Sequence, residues 1–325
     1  MEKLKRVGVV VLNFKGFDDT VQCIESILEQ KYREDFDLFV VDNDSRDNSY
    51  EKLLVKYDLT SSSVEGFSKI SKAASGKIRN RGKIFIVSTK FNGGYAYGNN
   101  AGIEFAQSKS RYDYFLLCNN DLVLSPDSLG LLVRDLEEYS ETNRVGLIGA
   151  KLNYWHDPTM IQAIAGSYQP YTGRCKHILS PEKCELSFEK QQEEFDYPIG
   201  ACLLIKSNLI EEVGLLSEDY FLYYEELDYI KRAAIKGFSF GISSSSLILH
   251  KEGASIGSSS SSYKKVSILS DYHLLKSRLI FTRKFYPFYL PIVLGIHFFN
   301  ILRRVIRGEY LKSFNAFKAL GRLFK

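Results

Sequence analysis

Three carboxylates within four positions, Glu225, Glu226 and Asp228 in F-L-Y-Y-E-E-L-D, follow an aromatic run in this 325-residue chain. Neighbouring carboxylates repel and raise one another's pKa, the condition a general base near neutrality needs. On a helix Glu225 and Asp228 share a face and Glu226 points elsewhere. The plain alternative is a solvated helix N-terminus, where the dipole favours acids. A second acidic stretch, V-V-D-N-D-S-R-D-N-S, puts Asp42 and Asp44 at the end of an apolar run. A carboxylate there can accept hydrogen bonds from a nucleobase imide or a ribose hydroxyl, whereas Asp47 and Asn48 read as turn and helix cap. In L-L-C-N-N-D, one carboxylate, Asp121, stands beside two amides, Asn119 and Asn120. That set suits a divalent cation that keeps waters and takes phosphate oxygens. His250, closing an apolar run at H-K-E-G-A-S, can complete such a site with Asp121. In F-N-G-G-Y-A-Y-G-N-N-A-G, Gly93 and Gly94 let backbone approach a ligand, with Asn92 and Asn99 beside them. The helix that follows would aim its N–H groups at a diphosphate.

These groups sit at the ends of apolar segments, which is what makes them informative. Val7–Leu12, Phe36–Val41, Lys83–Val87 and Tyr114–Cys118 have strand length and are apolar throughout. Helical spacing separates them at Thr20–Gln30, Ser49–Tyr57, Tyr97–Gln107 and Leu129–Tyr139. Alternating strands and helices of this kind predict an α/β fold, a mostly parallel doubly wound sheet with helices on both faces. Ligands in such sheets bind beyond the carboxyl ends of the strands, where the polar residues above fall. Thr60–Gly82, rich in Ser, Lys and Gly, reads as a surface insertion. Ser255–Tyr263 reads as a flexible segment suited to a lid.

Hydrophobic content of 45% and charged content of 25% are ordinary for a globular protein. Val7–Leu12 ends in Asn13 with no small-residue cleavage site, so no signal peptide is expected. Five scattered cysteines, Cys175 and Cys184 among them, suit reduced thiols better than a disulfide framework. The net charge of +4 hides an asymmetry: from Lys276 onward eleven basic residues face the single acid Glu309. Tyr272–Phe285 reads as a helix. Pro287–Leu302 is apolar but interrupted by Pro287, Pro291, His297 and Asn300, and falls short of the ~20 residues a span requires. Followed by Arg303, Arg304 and Arg307, it reads as helices lying on an anionic membrane surface.

In this order the segments resemble the family 2 glycosyltransferases, in particular their rhamnosyltransferase-like branch. V-V-V-L-N-F, V-D-N-D-S-R-D-N-S, N-G-G-Y-A-Y-G-N-N-A-G, L-L-C-N-N-D, P-I-G-A-C-L-L-I-K, F-L-Y-Y-E-E-L-D and H-K-E-G-A-S carry the resemblance over roughly residues 5–285. It implies a GT-A type fold over 1–265, with a nucleotide-binding half near 1–125, an acceptor-binding half near 126–265, and a basic, apolar helical extension at 266–325. It further implies inverting transfer of a sugar from a dTDP or UDP donor to an acceptor hydroxyl, with Mg²⁺ or Mn²⁺. Asn13, Asp42, Asp44, Asn92, Gly93, Gly94, Asn99, Asn119 and Asn120 would line the donor side. Asp121 and His250 would hold the metal, Glu226 would be the base flanked by Glu225 and Asp228, and Gly200 and Ala201 would line the acceptor side. A lipid-linked glycan at the cytoplasmic face of the cell membrane is the implied acceptor, and no nucleic acid is expected. Two departures stand out. Glu226 occupies the place of the family's usual Asp, and Lys276-Ser277 that of an Arg-Asn pair. The rival readings are an inactive homologue, a nucleic-acid-binding module and a sugar nucleotidyltransferase. The last would want a Gly-rich, Arg-containing loop where Asn13-Phe14-Lys15-Gly16 stands.

Overall fold

Branched and aromatic residues dominate the strands because they pack well on a pleated surface. In a computed structural model, which describes residues 5–32, 35–78, 82–179, 183, 186–251 and 267–321, the first half holds six strands. They are β1 (Val7–Asn13), β2 (Phe36–Asp42), β3 (Ser62–Ser63), β4 (Ile70–Ile78), β5 (Gly82–Thr89) and β6 (Tyr114–Asn119). Between them lie α1 (Phe17–Leu28), α2 (Ser49–Lys56) and α3 (Tyr95–Lys109). The parallel block runs in the order β5-β2-β1-β6. Side chains alternate across it. Val10, Phe39, Val41, Phe85 and Val87 face α3 in one core cluster, while Val9, Val11, Leu38 and Val40 join Ile24, Ile27 and Leu53 of α1 and α2 in another. Helices therefore cover both faces, as the uninterrupted apolar strands required. Phe39 stacks on Phe85 at 4.9 Å, and Phe105 of α3 meets both edge-on. Close docking of α3 depends on Gly102, where a Cβ would stand 2.6 Å from Val10 and 2.9 Å from Val41.

Beyond the parallel block the sheet turns antiparallel on both sides. Thr60–Gly82 supplies β3 and β4, and β4 pairs antiparallel with β5 along most of its length. Its polar composition suits an edge strand, with Ile70 and Ala74 buried and Lys72, Ser75 and Lys77 exposed. Chain reversal over so few residues admits only antiparallel pairing, since parallel neighbours need a crossover of a dozen residues or more.

The second half adds α4 (Ser128–Ser140), α5 (Phe188–Glu194), α6 (Ser207–Val213) and α7 (Glu225–Ile235), with β7 (Leu122–Leu124), β8 (Val145–Tyr154) and β9 (Ile161–Ala163). β10 (Ala165–Gln169), β11 (Arg174–Ile178), β12 (Tyr197–Pro198), β13 (Cys202–Lys206) and β14 (Ser239–His250) complete the strands. β13 enters antiparallel between β6 and β8, and β14 pairs with β8 and then with β7. Strands β11, β10 and β12 form a small separate sheet.

Three helices close the described chain: α8 (Ile268–Phe285), α9 (Leu290–Ile306) and α10 (Tyr310–Leu320). α8 is packed into the main core, where Phe281 is fully buried against Tyr168 and Tyr224 at 5.0 and 5.5 Å. α9 buries only Val293 and His297, spaced one turn apart on the face it turns inward. With the 3-10 turn at Pro287–Tyr289 the apolar run is longer than its prolines suggested. Pro287–Ile306 makes 20 helical residues of mean hydropathy 1.4, enough by length and composition to cross a membrane. Pro287 and Pro291 sit at helix starts, where a missing N–H costs nothing, so they interrupt less than expected. Ser255–Tyr263 lies outside the described residues.

Candidate active site

The topological switch falls between β1 and β6, because the strands after β1 add on its other side. Register puts Asn13 opposite Asp42, and Leu12 opposite Asn119, so the polar ends of β1, β2 and β6 form one row. Asn13 is its hub. Its Nδ2 donates to Asp42 Oδ2 at 2.7 Å, and its Oδ1 accepts from Thr20 Oγ1 at 2.8 Å and from Asn120 Nδ2 at 3.3 Å. Asp42 is buried, and desolvation raises its pKa against the opposing hydrogen bonds from Ser45 and Asn13. Asp44 lies further out in a left-handed conformation, φ 55°, paired with exposed Arg46 at 2.7 Å. Asn119 donates its backbone N–H to Ala201 at 2.9 Å, tying the polar row to the Gly200-Ala201 turn before β13.

β14 runs antiparallel to β7 with His250 opposite Leu122, which brings the imidazole beside Asp121. His250 Nε2 stands 3.3 Å from Asp121 Oδ1, an oxygen that is buried with no hydrogen-bond partner among the described residues. On its other side His250 Nδ1 meets Gln162 Oε1 at 2.6 Å. A proton on Nδ1 directed at Gln162 leaves the Nε2 lone pair facing a carboxylate oxygen. Two acceptors so placed fit a cation between them, with Gln162 fixing the ring as an outer partner does at metal sites. Among the described residues no group of three or more His, Cys, Asp or Glu side chains is placed to enclose a metal. The remaining ligands would therefore be phosphate and water oxygens, the habit of magnesium. Gln162 went unnoticed in the sequence, where a lone Gln in a three-residue strand carries no signal.

The acid cluster is held from two sides. Tyr223 and Tyr224 adopt φ 70° and 76° in succession before α7 begins, a strained lead-in costing about 1–3 kcal/mol per residue that concentrates at functional sites. The Asn/Gly-rich loop is its socket: Tyr95 N–H, in the first turn of α3, donates to Phe221 at 2.9 Å. That N–H, expected to face a diphosphate, is thus committed to protein. Asn92 Oδ1 accepts from Gly94 N–H and Asn43 Nδ2, both at 3.0 Å, while Asn99 is fully buried and donates to Tyr95 at 3.1 Å. A Cβ on Gly93 would meet the Tyr97 ring at 2.3 Å, and one on Gly94, with φ +95°, would come within 2.2 Å of the Phe221 carbonyl. The loop thus packs against the acidic segment through Gly94 and Tyr95, with Asn92 and Asn99 bracing the loop itself. Gly94→Ala should lower the thermal midpoint, costing about 2 kcal/mol or more, as calorimetric melting would report.

Glu226 lies against Gly200, where a methyl group in place of the glycine hydrogen would stand 3.5 Å from its carboxyl carbon. The Tyr95 hydroxyl donates to the Gly200 carbonyl at 2.5 Å and fixes that wall. Desolvation pushes Glu226 up to about 7, and burial followed by the charge of Glu226 drives Glu225 well above the usual carboxylate range. Glu225 Oε1 is buried with no hydrogen-bond partner among the described residues. Asp228 is placed elsewhere. Fully buried, it accepts from Arg232 Nε and Lys284 Nζ, both at 2.6 Å, and from the Tyr220 hydroxyl at 3.0 Å. A carboxylate shared by two cations holds α7 to α8. Ser277, at the departure from the Arg-Asn pair, donates its hydroxyl to Leu222 at 2.8 Å and braces the same segment. Tyr95 was missed as a wall of the site because its partner Gly200 lies 105 residues away.

A sheet with its polar row at the switch point and desolvated acids in the second half is arranged as a ligand-binding α/β fold. Residues 8–213 match Glycosyl transferase family 2, and the chain belongs to that family. The low-salt glycan biosynthesis hexosyltransferase Agl10 of Haloferax volcanii is 23% identical over 241 residues, covering 69% of this chain and 68% of the relative. The uncharacterized protein y4gI of Sinorhizobium fredii is 25% identical over 285 residues, 86% of this chain and 28% of that one. The crystal structure of S. aureus TarS has a TM-score of 0.50 at 11% identity, over 85% of this chain and 39% of that one, a likeness of fold. The chain thus spans well under half of TarS and of y4gI.

Proposed function

We propose that the protein transfers a hexosyl group, with inversion, from a UDP- or dTDP-linked sugar to a hydroxyl of a lipid-linked glycan at the cytoplasmic face of the membrane. The observation that carries this reading is the position of Glu226, whose carboxyl group lies against Gly200, where desolvation pushes it up to about 7. That wall is bonded in turn to Asn119 on the donor row. The rhamnosyltransferase-like motifs make dTDP-rhamnose the first donor to test, and the hexosyltransferase relative supports glycan synthesis as the setting.

Asp42, steadied by Asn13, accepts from the nucleobase, and Asn119 and Asn120 flank the ribose. Glu226 takes the proton of the acceptor hydroxyl as that oxygen bonds to the anomeric carbon. The bond from that carbon to the donor diphosphate breaks on the opposite face, and its electron pair leaves with the diphosphate. Asp121 and His250 would hold a Mg²⁺ or Mn²⁺ ion, which when bound neutralises charge on the leaving diphosphate. Tyr95 keeps the Gly200 carbonyl in place, so the wall beside the base does not shift between binding and transfer.

Calorimetric titration of UDP, dTDP and GDP, with Mn²⁺ and with EDTA, tests the reading. One nucleotide should bind in a metal-dependent way, and Asp121→Ala should weaken it about tenfold or more by removing a charged ligand. A folded protein that binds none of them with metal present would instead support an inactive homologue.

A further inference from the structure

A cavity of about 480 Å³ opens between β11, α8 and α9, lined by Arg174, Arg278, Arg303, Arg304 and Arg307. Its acids are Asp271 and Glu309. Asp271 is taken by Arg304 through contacts of 2.7 and 2.8 Å. Among the described residues the other four arginines have no carboxylate at ion-pair distance, and Arg278 Nε is buried without a hydrogen-bond partner. Guanidinium groups from three elements converge here with little internal neutralisation. They form a fork geometry that matches phosphate oxygens better than any point charge would.

Two neighbours say which phosphate. Arg278 lies beside Gly173 and the Tyr224 hydroxyl, which itself donates to the Gly173 carbonyl; Tyr224 caps α7 directly before Glu225 and Glu226. The cavity therefore adjoins the acceptor side of the catalytic segment. Elsewhere on α9, and on α10 after it, apolar side chains are uncovered: Phe299, Leu302, Ile306, Tyr310, Leu311 and Phe314 are 56–76% exposed. Cations beside an uncovered apolar face are complementary to an anionic group carried on a hydrocarbon chain at a bilayer surface.

Resting on the proposed lipid-linked acceptor, we infer that this arginine cavity binds the phosphate or diphosphate joining the acceptor glycan to its lipid, while the exposed faces of α9 and α10 lie in the bilayer interface. The anion would then anchor the acceptor while its sugar end reaches Glu226.

Flotation of the full chain with phosphatidylcholine vesicles isolates the effect when the farnesol vesicles also carry enough phosphatidylglycerol to match the surface charge that farnesyl diphosphate adds. The parent should bind vesicles carrying farnesyl diphosphate about tenfold or more tightly than vesicles carrying farnesol, given the strength of charge-assisted pairs. Replacing the exposed guanidiniums, in R174Q/R303Q/R307Q, should erase that preference without moving the thermal midpoint, and K318Q, outside the cavity, should keep it. Equal binding of both vesicles by the parent, or an undiminished preference in the triple variant, would overturn the inference. Displacement by an equal concentration of inorganic pyrophosphate would also overturn it, by assigning the cavity to a free anion. Nucleotide titrations on the same samples separate the two readings. Nucleotide binding without the farnesyl diphosphate preference sinks the cavity assignment and leaves glycosyl transfer standing; the reverse pattern does the opposite.

Discussion

Glu226→Gln should lower turnover by about 10²–10⁴-fold while leaving nucleotide affinity essentially unchanged, the signature of a lost general base. Gln keeps the size of the side chain and its contact with Gly200, so packing is preserved and only proton transfer is lost. The pH dependence gives an independent readout. A base acts only when ionised, so the parent rate should rise with pH through an apparent value near 7, and that rise should vanish in the variant. Because Glu225 is adjacent, the observed midpoint belongs to the pair. Stability should move in the opposite sense. A carboxyl raised in the fold favours folding most below its unfolded value of 4.5, and that contribution is lost as pH rises through about 7. At pH 8 the Gln variant should therefore melt no lower than the parent. An inactive variant that also melts well below the parent would instead mark Glu226 as structural. Glu226→Asp restores the residue type usual in the family but withdraws the carboxylate by one methylene, about an ångström. In a site built around Glu this should cost up to about 10²-fold in rate.

Asp228→Asn should act on the fold. It leaves Arg232 and Lys284 facing a neutral amide at a position with no solvent access. Breaking a buried charge cluster from one side costs about 3–5 kcal/mol, and the partial exposure of Lys284 argues for the lower end. In a chain of this size that corresponds to a fall in thermal midpoint of about 6 °C or more, measurable by scanning calorimetry. Part of the activity should follow, since the triad ties α7, which carries the acids proposed as catalytic, to α8. The readout that separates the two positions is the pH profile: Asp228→Asn should keep the rise near 7 and Glu226→Gln should lose it. Loss of the pH rise with an unchanged midpoint would show that Asp228 had been given the wrong task.

The strands β1, β2, β5 and β6 and the helices between them were legible because each is a local statement. Continuous apolar runs predict strands covered on both faces, and apolar residues at helical spacing predict the covering helices. Asn13, Asp42, Asn119 and Asp121 were legible for a related reason: in a parallel sheet the chemistry gathers at the strand ends, and each lies at one. β4 was not, because an edge strand with one wet face has the composition of a loop. The helical run from Pro287 was judged short because prolines break helices in their interior, whereas both prolines here open one.

The sequence by itself determined the α/β class, the family, and which residues make up the polar row and the acid cluster. Those depend on residue type and short spacing. Tertiary structure alone decided the surroundings of each acid. Glu226 and Asp228 are two residues apart, yet one is desolvated against Gly200 and the other neutralised by Lys284, 56 positions on. It also decided that His250 faces Asp121 and that five scattered arginines share one cavity. Electrostatic environment is set by neighbours in space, whose identity depends on strand register and helix docking, and no local pattern in the chain encodes which distant charge will arrive.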